Sequence, residues 1–169
     1  MRAWLDRLYD ATAWLAALMM VATLVMVVLG MVDRYVPINF RGTDMYAGYF
    51  MAGSGFLALA HTLKKNEHIR VTLLLNAVPP GAKRALEIWS LCAAVLLSGL
   101  FAFYSARLAW QSLDFHDIST GNDATPLWIP QIAMALGTLV LLIAFVDELV
   151  MELRGLRVVV ASDEALHNE

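Results

Sequence analysis

The chain has 169 residues, of which 60% are hydrophobic and 16% are charged, and its mean hydropathy is +0.63. Soluble domains are roughly 45–50% apolar and roughly 25% charged, so this composition is typical of a membrane protein. The net charge of −3 and the lack of a basic block with aromatic residues give no support for binding of nucleic acid. A single cysteine, Cys92, excludes an internal disulfide and a site built from several thiolates.

Four apolar runs are long enough to cross a membrane as helices, because a hydrocarbon core of about 30 Å needs about 20 helical residues. They cover residues 11–32, 45–63, 88–106 and 127–146. None shows the alternation of period two that a barrel strand requires. We therefore predict an all-α integral membrane protein with four transmembrane helices in one domain, residues 1–155, followed by a polar, disordered tail over residues 156–169.

The first run follows two arginines, Arg2 and Arg7, as the apolar part of a signal peptide would. However, it is longer than the usual apolar region of about 7–15 residues, and its end, VLGMVDRY, lacks a cleavage pattern of small residues. We therefore expect this segment to be retained as a span.

The second run contains the stretch YAGYFMAGSGF, in which Gly48, Ala52 and Gly55 fall at positions i, i+4 and i+7 of a helix. Small residues with this spacing line one face and allow another helix to approach closely, which drives helix association in lipid. We predict a helix-packing face here. Its partner can be another helix of this chain or a helix of another protein, and the sequence leaves both open.

The connection between the second and third runs is basic at first and apolar later. Its sequence, HTLKKNEHIRVTLLLNAVPP, places Lys64, Lys65, His68 and Arg70 before a leucine-rich segment that ends at two prolines. Basic side chains near a membrane surface are attracted to anionic headgroups, and the apolar residues after Arg70 follow helical spacing. We predict a short interfacial helix here; a membrane-anchored loop is the alternative.

Lysine and arginine are distributed unequally between the two sides that four spans would create. One side carries most of them, whereas the other carries only Arg34, Arg41 and Arg107. Loops in the cytoplasm hold the excess of basic residues, so we predict that both termini are cytoplasmic. The connection between the third and fourth spans has no lysine or arginine, as an exported loop can, but contains Asp114, Asp117 and Asp123.

The middle of each predicted span lacks Asp, Glu, Lys, Arg and His. A transporter that couples solute to an ion usually keeps such residues within its spans, so this chain is not expected to transport a solute alone. A haem-carrying anchor of a redox complex would need histidines on facing helices at a common depth. His61, His68, His116 and His167 provide no such pair. A free-standing four-span protein is a further alternative.

The four-span layout, the stretch HTLKKNEHIRVTLL and the stretch STGNDATPLWIPQIAMALGTLVLLI resemble the small membrane subunit of TRAP (tripartite ATP-independent periplasmic) transporters, the DctQ-like family. Thr72 departs from the acidic residue that commonly follows H-I-R-V in that family. The resemblance implies a non-catalytic scaffold subunit without a cofactor in the bacterial inner membrane. Its partners would be a large multi-span permease (M) subunit, a periplasmic solute-binding (P) protein and membrane lipid, for sodium-driven uptake of an organic acid anion such as a C4-dicarboxylate.

The resemblance also implies which residues contact the partners. No catalytic or metal-binding residue is predicted. The inner connection is expected to lie against the large subunit and the membrane surface through Lys64, Lys65, His68, Ile69, Arg70 and Val71. A separate argument, exposure on the side where the binding protein must dock, makes the charged residues of the outer side candidate contacts for it, with plain solvation as the alternative; these residues are Arg34, Arg41, Asp114, Asp117 and Asp123.

Overall fold

A computed structural model describes residues 2–36, 40–65 and 80–155 of the chain. These residues form four helices: α1 (Arg2–Asp33), α2 (Thr43–Lys64), α3 (Pro80–Asp114) and α4 (Trp128–Leu153). The described part contains no strand beyond an isolated bridge between Ile118 and Pro126, so the all-α class is confirmed. The predicted interfacial helix and the C-terminal tail lie outside the described residues.

The helices extend well beyond the apolar runs that predicted them. At 1.5 Å per residue, α1 with 32 residues is about 48 Å long and α3 with 35 residues is about 52 Å long. Polar residues such as Asp6 and Arg7 end the apolar run but are compatible with a helix in water, because the backbone hydrogen bonds continue regardless. The sequence pattern therefore located the apolar part of each helix, and placed the helix ends too close together.

Three of the helices, α1, α3 and α4, are long and apolar enough to cross a membrane. The second helix is 22 residues long, but it does not reach the same apolarity. Its tyrosines, glycines, Ser54 and His61 lower its mean hydropathy. Three of the four predicted spans are thus supported by composition, and the span over residues 45–63 stays a prediction.

The helices pack in the order α1, α2, α4, α3, with α2 and α4 in the middle and α1 and α3 at the two edges. We call the end where α1 begins and α4 ends the terminal end, and the opposite end the loop end. Buried side chains of α1, α2 and α4 form a cluster towards the terminal end: Tyr9, Ala60, Leu63, Val140, Leu141 and Ala144. The two middle helices therefore position the edge helices, since α1 packs against α2 and α3 packs against α4.

The two middle helices approach each other most closely at Gly137 of α4. A Cβ atom at this position would lie 2.5 Å from the carbonyl oxygen of Phe56 in α2. One turn away, a Cβ atom on Gly53 would lie 3.3 Å from the Cβ of Ala133. Small residues at the contact let the backbones touch, which is how helices gain van der Waals energy in lipid.

The α3–α4 contact uses a stripe of residues seven apart on α3. Leu91, Ser98, Ser105 and Ser112 are all buried, and Thr138 of α4 is fully buried with its Oγ1 3.4 Å from Ser105 Oγ. Residues with this period keep one face of a helix toward its neighbour at a crossing angle near 20°. The serine spacing was visible in the sequence, although the predictions made no use of it.

Candidate partner interfaces

The terminal end is held by the amino group of Lys64, the last residue of α2. Its Nζ donates a hydrogen bond to Asp147 Oδ2 of α4 and lies 3.7 Å from Glu148 Oε1. It also lies 5.6 Å from the centroid of the Tyr9 ring in α1, within range of a cation–π interaction. We call Lys64, Asp147, Glu148 and Tyr9 the Lys64 cluster, because one cation joins three helices there.

The Lys64 cluster is sheltered from water. The side chains of Lys64 and Asp147 are 23% and 17% exposed, and that of Glu148 is 9% exposed. Charges in such a place need their partners, since an unpaired charge that is removed from water is costly. Nearby, His61 Nδ1 of α2 lies 3.7 Å from Asp10 Oδ1 of α1, which adds a second polar contact between these helices.

The contact of Lys64 with Asp147 and Glu148 was not among the predictions from the sequence. In the structure Glu148 is buried and both carboxylates face Lys64. The sequence did contain a clue to this contact, because the basic end of α2 and the acidic end of α4 fall on the same side of the membrane in a four-span topology. Lys64 had been predicted as a contact with a partner or with the membrane; its described contacts are within the chain, and the predicted role stays a prediction.

The other residues of the predicted inner interface divide into two groups. Lys65 is exposed at the end of α2, and its backbone N–H donates to the carbonyl of His61. The rest lie outside the described residues: His68, Ile69, Arg70 and Val71.

At the loop end, side chains of α2 hold the connection between α3 and α4. The hydroxyl of Tyr49 lies 3.0 Å from Ser119 Oγ and 3.2 Å from Asp123 Oδ2. Ser119 Oγ donates to Asp123 Oδ1 at 2.7 Å, and Thr125 Oγ1 donates to the hydroxyl of Tyr46 at 2.9 Å. We call these five residues, Tyr46, Tyr49, Ser119, Asp123 and Thr125, the loop-end network.

The hydrogen bonds of this network favour the charged form of Asp123. Desolvation raises the pKa of the carboxyl, but hydrogen bonds from Ser119, Thr125, the backbone and Tyr49 lower it by more. The net pKa is therefore below its ordinary value. Asp123 stays ionised while it holds the loop.

The backbone of the loop fits against Gly42, which precedes α2. Gly42 has φ 88°, and a Cβ atom there would lie 2.6 Å from Asp123 Cβ. Only glycine meets both conditions without strain. Within the loop, the N–H of Ser119 donates to the carbonyl of Thr125 at 2.8 Å, so the connection is bonded to itself as well as to α2.

The residues predicted to contact the binding protein differ in their surroundings. Arg34, Arg41, Asp114 and Asp117 are exposed. Asp123 is only partly exposed and belongs to the loop-end network. Sequence reasoning grouped Asp123 with the others because all five fall on one side of the topology, and its hydrogen bonds to α2 depend on a fold that the spacing does not reveal.

The small-residue face of α2 is open. Gly48, Ala52 and Gly55 are exposed, and a Cβ atom on Gly48 or Gly55 would meet no atom within 4 Å. Close approach within the chain uses Gly53 and Gly137 instead. Of the two partners that the sequence left open, no helix in the described part of this chain covers the face.

A cavity of about 200 Å³ lies beside this face, between α2 and α4. Ala52 belongs to both the cavity and the small-residue face. The lining residues are Tyr49, Ala52, Gly53 and Phe56 of α2, Leu127 just before α4, and Pro130, Gln131 and Met134 of α4. The side-chain oxygen of Gln131 is buried and has no hydrogen-bond partner in the described part of the chain.

The sequence matches the family described as "Tripartite ATP-independent periplasmic transporters, DctQ component" over residues 23–155, which is more than half of the chain. The chain belongs to the DctQ family. No curated protein matches the sequence.

Membership in the DctQ family makes the chain a component of a tripartite transporter, the small permease component. The matched range begins within α1 and includes the whole of α2, α3 and α4. It therefore contains the loop-end network, the small-residue face and the part of the Lys64 cluster on α2 and α4. Among the described residues, no group of three or more His, Cys, Asp or Glu side chains is arranged to hold a metal ion.

Proposed function

We propose that this DctQ-family chain is a non-catalytic scaffold that packs against the large permease subunit. The transporter would use a sodium gradient to take up an organic acid anion, such as a C4-dicarboxylate, which a periplasmic binding protein delivers. The family match over three complete helices and the C-terminal part of α1 carries this proposal.

The absence of charged side chains from the apolar parts of the helices supports a scaffold role. Residues 11–32 of α1, 88–106 of α3 and 128–146 of α4 contain no Asp, Glu, Lys, Arg or His, and α2 contains only His61 between residues 45 and 63. An ion or an anionic solute that crosses a membrane needs polar or charged groups along its path. The solute and sodium sites are therefore assigned to the large subunit.

The contacts at both ends of the helices also support a scaffold. The Lys64 cluster ties α1, α2 and α4 together at the terminal end, and the loop-end network ties α2 to the α3–α4 connection. Helices that are joined at both ends resist sliding past each other. A moving part of the large subunit would then work against a surface of constant shape.

The proposed orientation places the terminal end in the cytoplasm of a bacterial cell, because most lysines and arginines lie at that end. The basic connection after α2 would then contact anionic headgroups and the large subunit through Lys65, His68, Ile69, Arg70 and Val71. The loop end would face the periplasm, where Arg34, Arg41, Asp114 and Asp117 are available to the binding protein. Asp123 would support that surface by holding the loop.

Reconstitution tests the proposal. This chain and the large subunit would be expressed together, purified through a tag on this chain, and placed in liposomes with an inward sodium gradient. We expect uptake of a labelled C4-dicarboxylate only when both membrane subunits, the binding protein and the gradient are present. Equal uptake by the large subunit without this chain, or uptake by this chain alone, would contradict the proposal.

A further inference from the structure

The exposed surface of α2 differs from that of its neighbour α4. Exposed positions of α4 carry large aliphatic side chains, such as Leu136 and Leu139, which are 48% and 47% exposed. Exposed positions in the middle of α2 include Gly48, Ala52 and Gly55, together with one large and flexible side chain, Met51, which is 65% exposed. Large aliphatic side chains suit contact with lipid tails, whereas small residues in a membrane helix suit contact with another helix.

The packing of the helices leaves the small-residue face of α2 uncovered. The second helix packs against both α1 and α4, and Gly48, Ala52 and Gly55 stay exposed beside these contacts. Open space above Gly48 and Gly55 allows the backbone of a further helix to approach. Next to the small-residue face, the cavity between α2 and α4 has a volume of about 200 Å³, which can hold a side chain of the further helix.

The wall of the cavity contains a polar group that lacks a hydrogen bond to any described residue, and neighbouring atoms cover its oxygen. Gln131 lines the cavity, and the amide oxygen of Gln131 is buried without a hydrogen-bond partner in the described part of the chain. A buried acceptor that makes no hydrogen bond costs about 1–3 kcal/mol. The methylene groups of a lipid tail cannot supply the missing donor, but a side chain with an O–H or N–H group can.

We infer that one transmembrane helix of the large permease subunit lies along Gly48, Ala52 and Gly55 and inserts a hydrogen-bond-donating side chain into the cavity, where a rotation of the Gln131 amide brings its oxygen to the donor. This inference rests on the proposed function, and it adds the face that binds the partner and the chemistry of the contact. The apolar walls of the cavity, such as Phe56 and Met134, would surround the donor and exclude water.

Enlarging the small residues tests the contact. In the co-expressed complex, Ala52→Leu and Gly55→Leu are expected to lower the amount of large subunit that co-purifies by about tenfold, because the added side chain prevents close backbone approach. Matched controls at exposed positions elsewhere are Ala106→Leu on α3, Ala17→Leu on α1 and Gly81→Leu at the start of α3. Each control is expected to change the yield by less than about twofold.

Replacing the acceptor tests the hydrogen bond. Gln131→Met keeps the size of the side chain and removes the buried oxygen, so the chain alone is expected to be at least as stable as before. The complex is expected to weaken by about threefold, the usual effect of one hydrogen bond between membrane helices. Gln111→Met, at an exposed position of α3, is the matched control and is expected to change neither measurement.

The outcomes separate this inference from the proposed function. If the unmodified chain does not co-purify with any large subunit, the proposed function fails. If the complex forms but Ala52→Leu and Gly55→Leu reduce it no more than their controls, the inference is wrong and the proposed function stands. If Gln131→Met leaves the complex intact but releases a lipid that mass spectrometry detects on the unmodified chain, a lipid headgroup occupies the site and the inference is again wrong.

Discussion

The terminal end and the loop end of the four helices are stabilised by different kinds of polar contact. At the terminal end one ammonium group, that of Lys64, contacts two carboxylates and an aromatic ring on neighbouring helices. At the loop end the contact is shared among hydroxyl groups, one carboxylate and backbone hydrogen bonds of the loop. From this difference we expect that Lys64 contributes more to stability than any other polar side chain at the terminal end, whereas at the loop end the path of the backbone matters most.

The largest expected effect comes from removing the cation of the Lys64 cluster. Lys64→Met leaves Asp147 and Glu148 in their sheltered positions without this cation, and we expect the purified chain to lose about 3 kcal/mol of unfolding free energy. Denaturant unfolding in detergent micelles would measure the loss. The matched control is Lys65→Met, which changes the neighbouring, exposed lysine and is expected to have an effect within about 0.5 kcal/mol. Equal stability of the two variants would show that the terminal end does not depend on Lys64.

The second prediction tests whether backbone geometry governs the loop end. Gly42→Ala places a Cβ atom 2.6 Å from Asp123 Cβ at a residue with φ 88°, so the loop must move or the backbone must change. We expect a loss of about 1–3 kcal/mol and faster hydrogen exchange in the loop. Gly48→Ala is the control, because that glycine is helical and open, and it is expected to stabilise the isolated chain by about 0.5–1 kcal/mol. Stabilisation by both substitutions would refute the role assigned to Gly42.

The sequence predicted the helices because long apolar runs have few other solutions in a membrane. It did not predict that α2 lies between α1 and α4, since the order of packing depends on shape complementarity that periodicity does not contain. The missed partners of Lys64 have the same origin: Asp147 and Glu148 are 83 and 84 residues away, and their pairing needs the relative depth and rotation of two helices. For the same reason Asp123 was assigned by its side of the membrane rather than by its bonds.

The smallest expected effect concerns the charge of Asp123 in the loop-end network. Its pKa in the folded chain is below the ordinary value of about 3.9, so it stabilises the fold above pH 3.9 and loses that contribution as the pH falls through the folded pKa. We expect the exchange of the loop amide protons to accelerate selectively when the pH is lowered below about 4, after correction for the intrinsic effect of pH.

Asp123→Asn tests this assignment, because the amide cannot ionise but keeps one oxygen that accepts a hydrogen bond from Ser119. The variant is expected to have faster loop exchange than the unmodified chain at neutral pH and no further acceleration in acid. Asp117→Asn changes an exposed carboxylate of the same loop and is expected to keep the acid response. If the response persists in Asp123→Asn and disappears in Asp117→Asn, the charge that holds the loop end belongs to Asp117, and the comparison of the two ends would need a second ionic contact.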